Sequence, residues 1–154
     1  MADLTTNKNY LAPVSFQVTI DRSQFANLEY FCNRFSLPSV DSSPVEVPFR
    51  NIKIKVPSDR PNYSEITMGY IVNENLDNYI ELYNWVDDNI KNNEYTSADI
   101  ILNVLSSHGN VVRQIQFIDC IPISIGQLEF DMTNEINYIV SDASFAYTKF
   151  NIIK

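Results

Sequence analysis

Between residues 114 and 153 the chain alternates apolar and polar side chains, breaks, and alternates again. Ile115 and Phe117 alternate with Gln114 and Gln116, and residues 120–126, CIPISIG, interrupt the pattern. Residues 127–132 resume it, with Leu128, Phe130 and Met132 on one side and Gln127, Glu129 and Asp131 on the other. A pleated strand repeats every two residues, so one face of such a run asks for a core and the other for water. After a polar break at residues 133–135, the segment 136–153 is rich in β-branched and aromatic residues and reads as a closing strand.

The same reading organises the upstream half. Val14, Phe16, Val18 and Ile20 alternate with Ser15, Gln17, Thr19 and Asp21, which predicts a half-buried strand, and residues 31–35 carry a second. Pro38, Pro44, Pro48, Pro57 and Pro61 then punctuate a section confined to edges, turns and strand ends. Within it Ile52, Ile54 and Val56 alternate with Lys53 and Lys55, a short strand with a basic face in a projecting loop or hairpin at about residues 41–61. Ile66, Met68, Tyr70 and Val72 share one strand face. The apolar spacing then becomes helical at Leu76, Tyr79, Ile80, Tyr83, Val86 and Ile90, with Trp85 in the same set. Asn73 or Asn75 is placed to cap this helix, and Asp77 suits its positive end. Ile100, Leu102 and Val104 begin a strand that turns at residues 106–110 and returns through Val111 and Val112. Strands on both sides of one helix predict an α+β, mainly β domain, a sandwich or split barrel with the helix on its flank.

Length and charge narrow this further. With 154 residues the chain is one domain by size, here residues 14–154 behind a polar arm of residues 1–13 that ends at Pro13. A net charge of -8 repels nucleic acid and anionic membranes at long range. No apolar run approaches the ~20 residues of a membrane span. Cys32 and Cys120 lack CxxC spacing and the first residues lack signal-peptide character, so a reducing cytoplasm is the expected folding compartment.

The search for chemistry returns little. His108 is the sole histidine and sits beside Gly109 in a turn, which leaves neither a two-histidine metal centre nor a supported base. Three glycines form no phosphate-cradling loop. Asp87 and Asp88 read as a solvated pair, and Cys32 and Cys120 as small buried hydrophobes. No catalytic, cofactor-binding or metal-ligating residue is expected, and the arm and projecting section mark a building block that reaches neighbours. A small ligand-binding β-barrel or a carboxylate-dependent enzyme is the alternative from another class.

An ordered set of segments carries a family resemblance. Phe16-Gln17-Val18-Thr19-Ile20 opens it, and Cys32 runs to Leu37-Pro38. The segment of residues 48–56, PFRNIKIKV, follows with Asp59-Arg60, then a strand into a helix that reaches Trp85-Val86. Residues 122–131, PISIGQLEFD, lead to Asn134-Glu135-Ile136. Taken in order over most of residues 14–150, these resemble the tail tube proteins of contractile-tailed bacteriophages of the T-even type; residues 89–113 have no match.

The resemblance implies a subunit of hexameric rings whose strands form one continuous inner β-barrel, the rings stacking into a tube through which DNA passes. It implies partners: copies of itself, a tail sheath protein, and baseplate and terminator proteins, in a virion assembled in the host cytoplasm. A tube-initiating or baseplate protein, or the inner tube of a contractile injection or secretion device, is the related alternative. Under it Glu129 and Asp131 either line the bore, repelling phosphates within a screening length of about 8 Å, or remain on a solvated outer face. Arg50, Lys53, Lys55, Asp59 and Arg60 are the implied inter-ring contacts, or else a solvated basic face.

Overall fold

The computed structural model of the chain describes residues 9–20, 25–27, 29, 31–92, 96–133, 135 and 137–153. Most of the arm, and Asn134 and Ile136 of the closing motif, lie outside the described residues. In order, the elements are β1 (Phe16–Thr19), β2 (Cys32–Ser36), β3 (Val40–Asp41), β4 (Val45–Phe49), β5 (Ile52–Val56), β6 (Asn62–Tyr63) and β7 (Ile66–Ile71). Helix α1 (Asp77–Lys91) follows, then β8 (Ala98–Leu105), β9 (Val111–Ile125), β10 (Val140–Ala146) and β11 (Lys149–Ile152). Residues 25–27 are also helical, a short element the alternation did not reveal.

The long strand β9 organises the molecule. Its first half pairs with β8 on one side and β11 on the other, while residues 121–125 pair with β10. Asp119 takes a left-handed backbone, φ 55°, and the register against β8 shifts between Ala98 and Ile100. Such a bulge bends a strand and lets it cross between sheets. Two four-stranded antiparallel layers result: β1-β8-β9-β11, and β9-β10-β7-β2. Residues 120–126 therefore continue a strand rather than interrupt one. Pro122, which disguised this, sits beside the register shift at Ser144/Phe145, where a proline is tolerated.

The core fills the space between the layers. Val18, Ile100, Leu102, Ile115 and Phe117 from one sheet are buried with Ile66, Met68, Tyr70, Ala143 and Phe145 from the other. Phe35 of β2 reaches Phe117 of β9 with 5.6 Å between ring centroids. The closing segment is two strands, one in each layer. The chain turns the corner at Tyr147-Thr148, in parallel with the bend of β9, and Thr148 N–H donates to Ile118 O at 3.0 Å.

Helix α1 shows the expected capping residue and an unexpected buried face. Asn73 Oδ1 accepts the Asp77 N–H at 2.7 Å and its Nδ2 donates to Asp77 Oδ2 at 2.9 Å, ahead of a left-handed Leu76. The buried stripe is Asn78, Leu82 and Trp85, at i, i+4 and i+7. Asn78 is admitted because Nδ2 donates to Ile71 O at 2.6 Å and Oδ1 accepts the Tyr79 N–H at 2.9 Å, which fastens the helix to the end of β7. Trp85 stacks on Phe25 at 4.1 Å and donates Nε1–H to Thr96 O at 2.7 Å. Ile80, Tyr83 and Ile90 form a second apolar stripe on the opposite face, exposed to solvent. Helical spacing alone does not say which of two such stripes meets the core.

Candidate assembly interface

Residues 45–56 form a two-stranded ribbon outside both main sheets. Its register pairs Val45 with Val56, Val47 with Ile54 and Phe49 with Ile52, which puts all six side chains on one face. Glu46, Pro48, Lys53 and Lys55 occupy the other face. The six apolar residues remain 43% to 64% exposed. A lone hairpin is marginal in water, so a stem supports this one. β3 pairs with β6 at its root, Ser64 N–H donates to Ser39 O at 3.1 Å, and Tyr63 packs against Tyr147 and Phe150 at 5.9 and 5.4 Å. Tyr147 donates its hydroxyl to Ser64 O at 2.9 Å. Completing the burial of six half-exposed aliphatic and aromatic groups would contribute roughly 6 kcal/mol gross, at about 1 kcal/mol each.

The sequence-predicted contact residues are spread along this ribbon. Arg50, with a left-handed backbone at φ 51°, forms the tip, and its guanidinium lies 5.8 Å from the Phe49 ring centroid. Lys53 and Lys55 share the polar face, where Lys53 Nζ meets Glu46 Oε2 at 3.0 Å. Asp59 and Arg60 lie beyond the far end of β5, in a bend where Ser58 Oγ accepts the Arg60 N–H at 3.3 Å. Five strand residues separate tip from base by roughly 16 Å, so these five side chains line a stalk instead of converging on one spot. The sequence reading took Ile52, Ile54 and Val56 from the ribbon and missed Val45, Val47 and Phe49. The signal was present: one parity before Arg50-Asn51 mirrors one parity after it.

Residues 127–132 carry the alternation of a strand and are not one. Pairing with β10 ends at Gly126, whose N–H donates to Asp142 O at 2.6 Å. A Cβ at Gly126 would lie 3.0 Å from the backbone N and O of Asp142, a close approach that favours glycine here. Beyond it the backbone of residues 127–132 makes no hydrogen bond to the described residues. Phe130 is 73% exposed and Met132 fully so. The reason is topological: β10 departs toward β7, and one chain has no further edge to offer. Glu129 and Asp131 are both exposed, and Asp131 accepts the Thr133 N–H at 2.9 Å and hydroxyl at 2.7 Å. These two bonds hold its carboxyl below the ordinary carboxylate range.

The layer β9-β10-β7-β2 has two open edges, the outer side of β9 beyond Cys120 and the outer side of β2. Its outward face carries small hydroxyl side chains, Ser36, Thr67, Ser124 and Ser144, around an ion pair between Arg34 and Asp142. Arg34 reaches across β7 to β10 over Gly69, where a Cβ would meet Arg34 at 3.0 Å. Elsewhere, burial pushes the Cys32 thiol up to about 11 and the Cys120 thiol up to about 12. His108 is exposed in the β8–β9 turn, bonded to Ser107 Oγ at 3.3 Å through Nδ1. No group of three or more potential metal ligands occurs among the described residues.

No protein-family model and no curated protein sequence matches the chain. Solved structures do. A chain of the sheath–tube complex of an extracellular contractile injection system, PVC, in the extended state matches with TM-score 0.74 and 17% identity, over 94% of this chain and 92% of that one. A chain of the anti-feeding prophage tube-terminating cap matches with TM-score 0.74 and 17% identity, over 97% and 95%. A chain of the 6-fold symmetrised anti-feeding prophage baseplate matches with TM-score 0.73 and 10% identity, over 96% and 97%. The chain shares the fold of these proteins from end to end.

Proposed function

We propose that the chain is a structural subunit of the inner tube of a contractile injection apparatus, closing into six-membered rings that stack along an axis. The observation that carries this is the polarity of the layer β9-β10-β7-β2. Its four strands alternate in direction, so its two open edges, β9 and β2, run antiparallel to each other. Placing β2 of one copy beside β9 of the next extends an antiparallel sheet without a parallel seam for any number of copies, and closure removes every edge. Six copies, the symmetry of the related baseplate, would contribute four strands each. At ~4.8 Å spacing and ~40° tilt that barrel is roughly 48 Å across between backbones.

Other uncovered surfaces fit other contacts in this scheme. The apolar face of the β4–β5 ribbon is the axial contact to the adjacent ring, with Arg50, Lys53, Lys55, Asp59 and Arg60 along it. The outward stripe Ile80, Tyr83 and Ile90 of α1 faces the surrounding sheath. The ring's bore face carries the hydroxyl-rich surface, with Glu129 and Asp131 at its margin. Terminator and baseplate proteins cover the ends of the stack.

A tube-terminating or baseplate role is the second reading, favoured by likenesses of equal strength to a cap and a baseplate chain. A phage tail in which the bore conducts DNA is a further form of the same architecture. Negative-stain microscopy of the purified chain over a range of concentrations tests the proposal. Filaments of indefinite length support a tube subunit, single rings support a cap, and a chain that stays monomeric up to millimolar concentration rejects both.

A further inference from the structure

The proposed ring leaves open how one copy grips the next, and two features on opposite edges of the same layer answer that. On the β2 side the two sheets part, and an open groove of about 550 Å³ lies between β1 and β2. Val14, Phe16, Val18 and Cys32 give it an apolar strip, beside the polar side chains of Gln17, Glu29 and Asn33. On the β9 side, residues 127–132 run on past the sheet with no backbone hydrogen bond to the described residues, strand alternation, and Phe130 and Met132 in solvent. A segment with that pattern and those exposed side chains is a strand lacking an edge, and β2 is an edge lacking a strand.

We infer that residues 127–132 of each copy form a strand only on assembly. They prolong β9 as one continuous strand along the β2 edge of the neighbouring copy and deliver Phe130 and Met132 into its β1/β2 groove. This rests on the tube reading and specifies its lateral contact. Three observations favour a second copy as the occupant. Donor and acceptor lie at opposite ends of one four-stranded layer, the arrangement a head-to-tail closed ring requires of a single repeated interface. β9 and β2 are antiparallel, so the added strand keeps the polarity of the sheet. The period-two pattern puts Leu128, Phe130 and Met132 on one side, so the apolar side enters the groove while Glu129 and Asp131 point away from it. Main-chain bonds then supply affinity and the alternate side chains supply register, as in other cases of strand addition. The Asp131–Thr133 turn marks where the added strand stops.

The test compares two variants with the parent chain. Phe130→Ser with Met132→Ser alters only exposed side chains, so the monomer should melt at an unchanged temperature while ring association weakens at least ~30-fold, the effect of losing an interfacial hot spot. In a Cys32→Ser background, Val14→Cys with Met132→Cys places one thiol on the groove and one on the donor. Under mild oxidation it should yield a ladder of covalent oligomers up to the closed ring, absent from either single variant. Rings that persist in the double serine variant and give no ladder overturn the inference and leave the tube reading standing. A parent chain that never associates overturns both.

Discussion

Replacing Val47 and Ile54 by serine probes the ribbon most directly, because they face each other across β4 and β5, strands that pair with neither main sheet. Val47 is 45% exposed and Ile54 44% exposed, so slightly under half of each side chain is still available for burial. Full burial of an aliphatic side chain is worth roughly 1.5 to 3 kcal/mol, which leaves about 1 kcal/mol for each to contribute at a new contact. Losing both should weaken each axial contact by ~2 kcal/mol, about 30-fold in its association constant. Every subunit of a ring makes that contact, so the penalty repeats around the ring. Folding loses the part already buried, slightly over half of each side chain and so about 1 kcal/mol apiece by the same bookkeeping, a shift of roughly 4 to 8 °C in a domain of this size. Sedimentation velocity across a concentration series, with thermal melts of the same samples, separates the two effects. The expected result is a melting temperature lowered by no more than about 8 °C with a large rise in the concentration at which stacks form. Stacks of normal length at the parental concentration would refute the assignment of this face to an interface. So would a melting temperature lowered by ten degrees, since the ribbon would then be part of the fold.

Gly126→Ala should cost roughly 1 to 3 kcal/mol, because its Cβ would stand 3.0 Å from Asp142 backbone atoms that cannot swing aside. Equal melting temperatures for variant and parent would show that this approach is looser than described. Both thiols ionise later in the folded chain than the ordinary 9.0, at about 11 for Cys32 and about 12 for Cys120. Burial favours the neutral thiol, so that stabilisation is complete below pH 9 and is lost as pH rises from 9 toward those values. Melting temperature should be flat from pH 7 to 9 and fall above it, and less steeply for Cys120→Ala; identical slopes would reject the argument.

Much of the sheet could be read from alternation because each strand has one face on the core. Ile66, Met68 and Tyr70 are completely buried at the spacing the sequence displays. The failures have specific causes. β9 hid behind Pro122, since an edge position beside a register shift accepts a residue that a central strand rejects. The buried stripe of α1 includes Asn78, a polar residue admitted by its bond to Ile71 O, while Ile80, Tyr83 and Ile90 offered a more apolar stripe that faces solvent. Residues 127–132 have the pattern of a strand and no partner, and pattern alone cannot supply a partner. The exposed apolar face of the ribbon is legible in outline, because Ile52, Ile54 and Val56 alternate. Its completeness is not, because that depends on a register set across Arg50-Asn51.

The misplaced apolar residues share one explanation. Phe130, Met132, the six ribbon residues and the outer stripe of α1 each have the spacing of a buried face, and each is exposed in the single chain. A sequence shaped only for a monomer would not keep three separate, regularly spaced apolar faces in water at a net charge of -8 that otherwise favours solubility. They also fall on different elements, so they need not bind the same partner. In the proposed tube the donor segment and groove act around the ring, the ribbon acts along the axis, and the helix acts outward. Lateral closure uses one head-to-tail contact that returns on itself, and axial stacking uses another that does not. Because no strand pairing or hydrogen bond among the described residues links 45–56 to 127–132, the two can be weakened independently. Under that proposal, closed rings that do not stack should form when only the ribbon is altered, and a cap should end a stack by losing only the ribbon's partner.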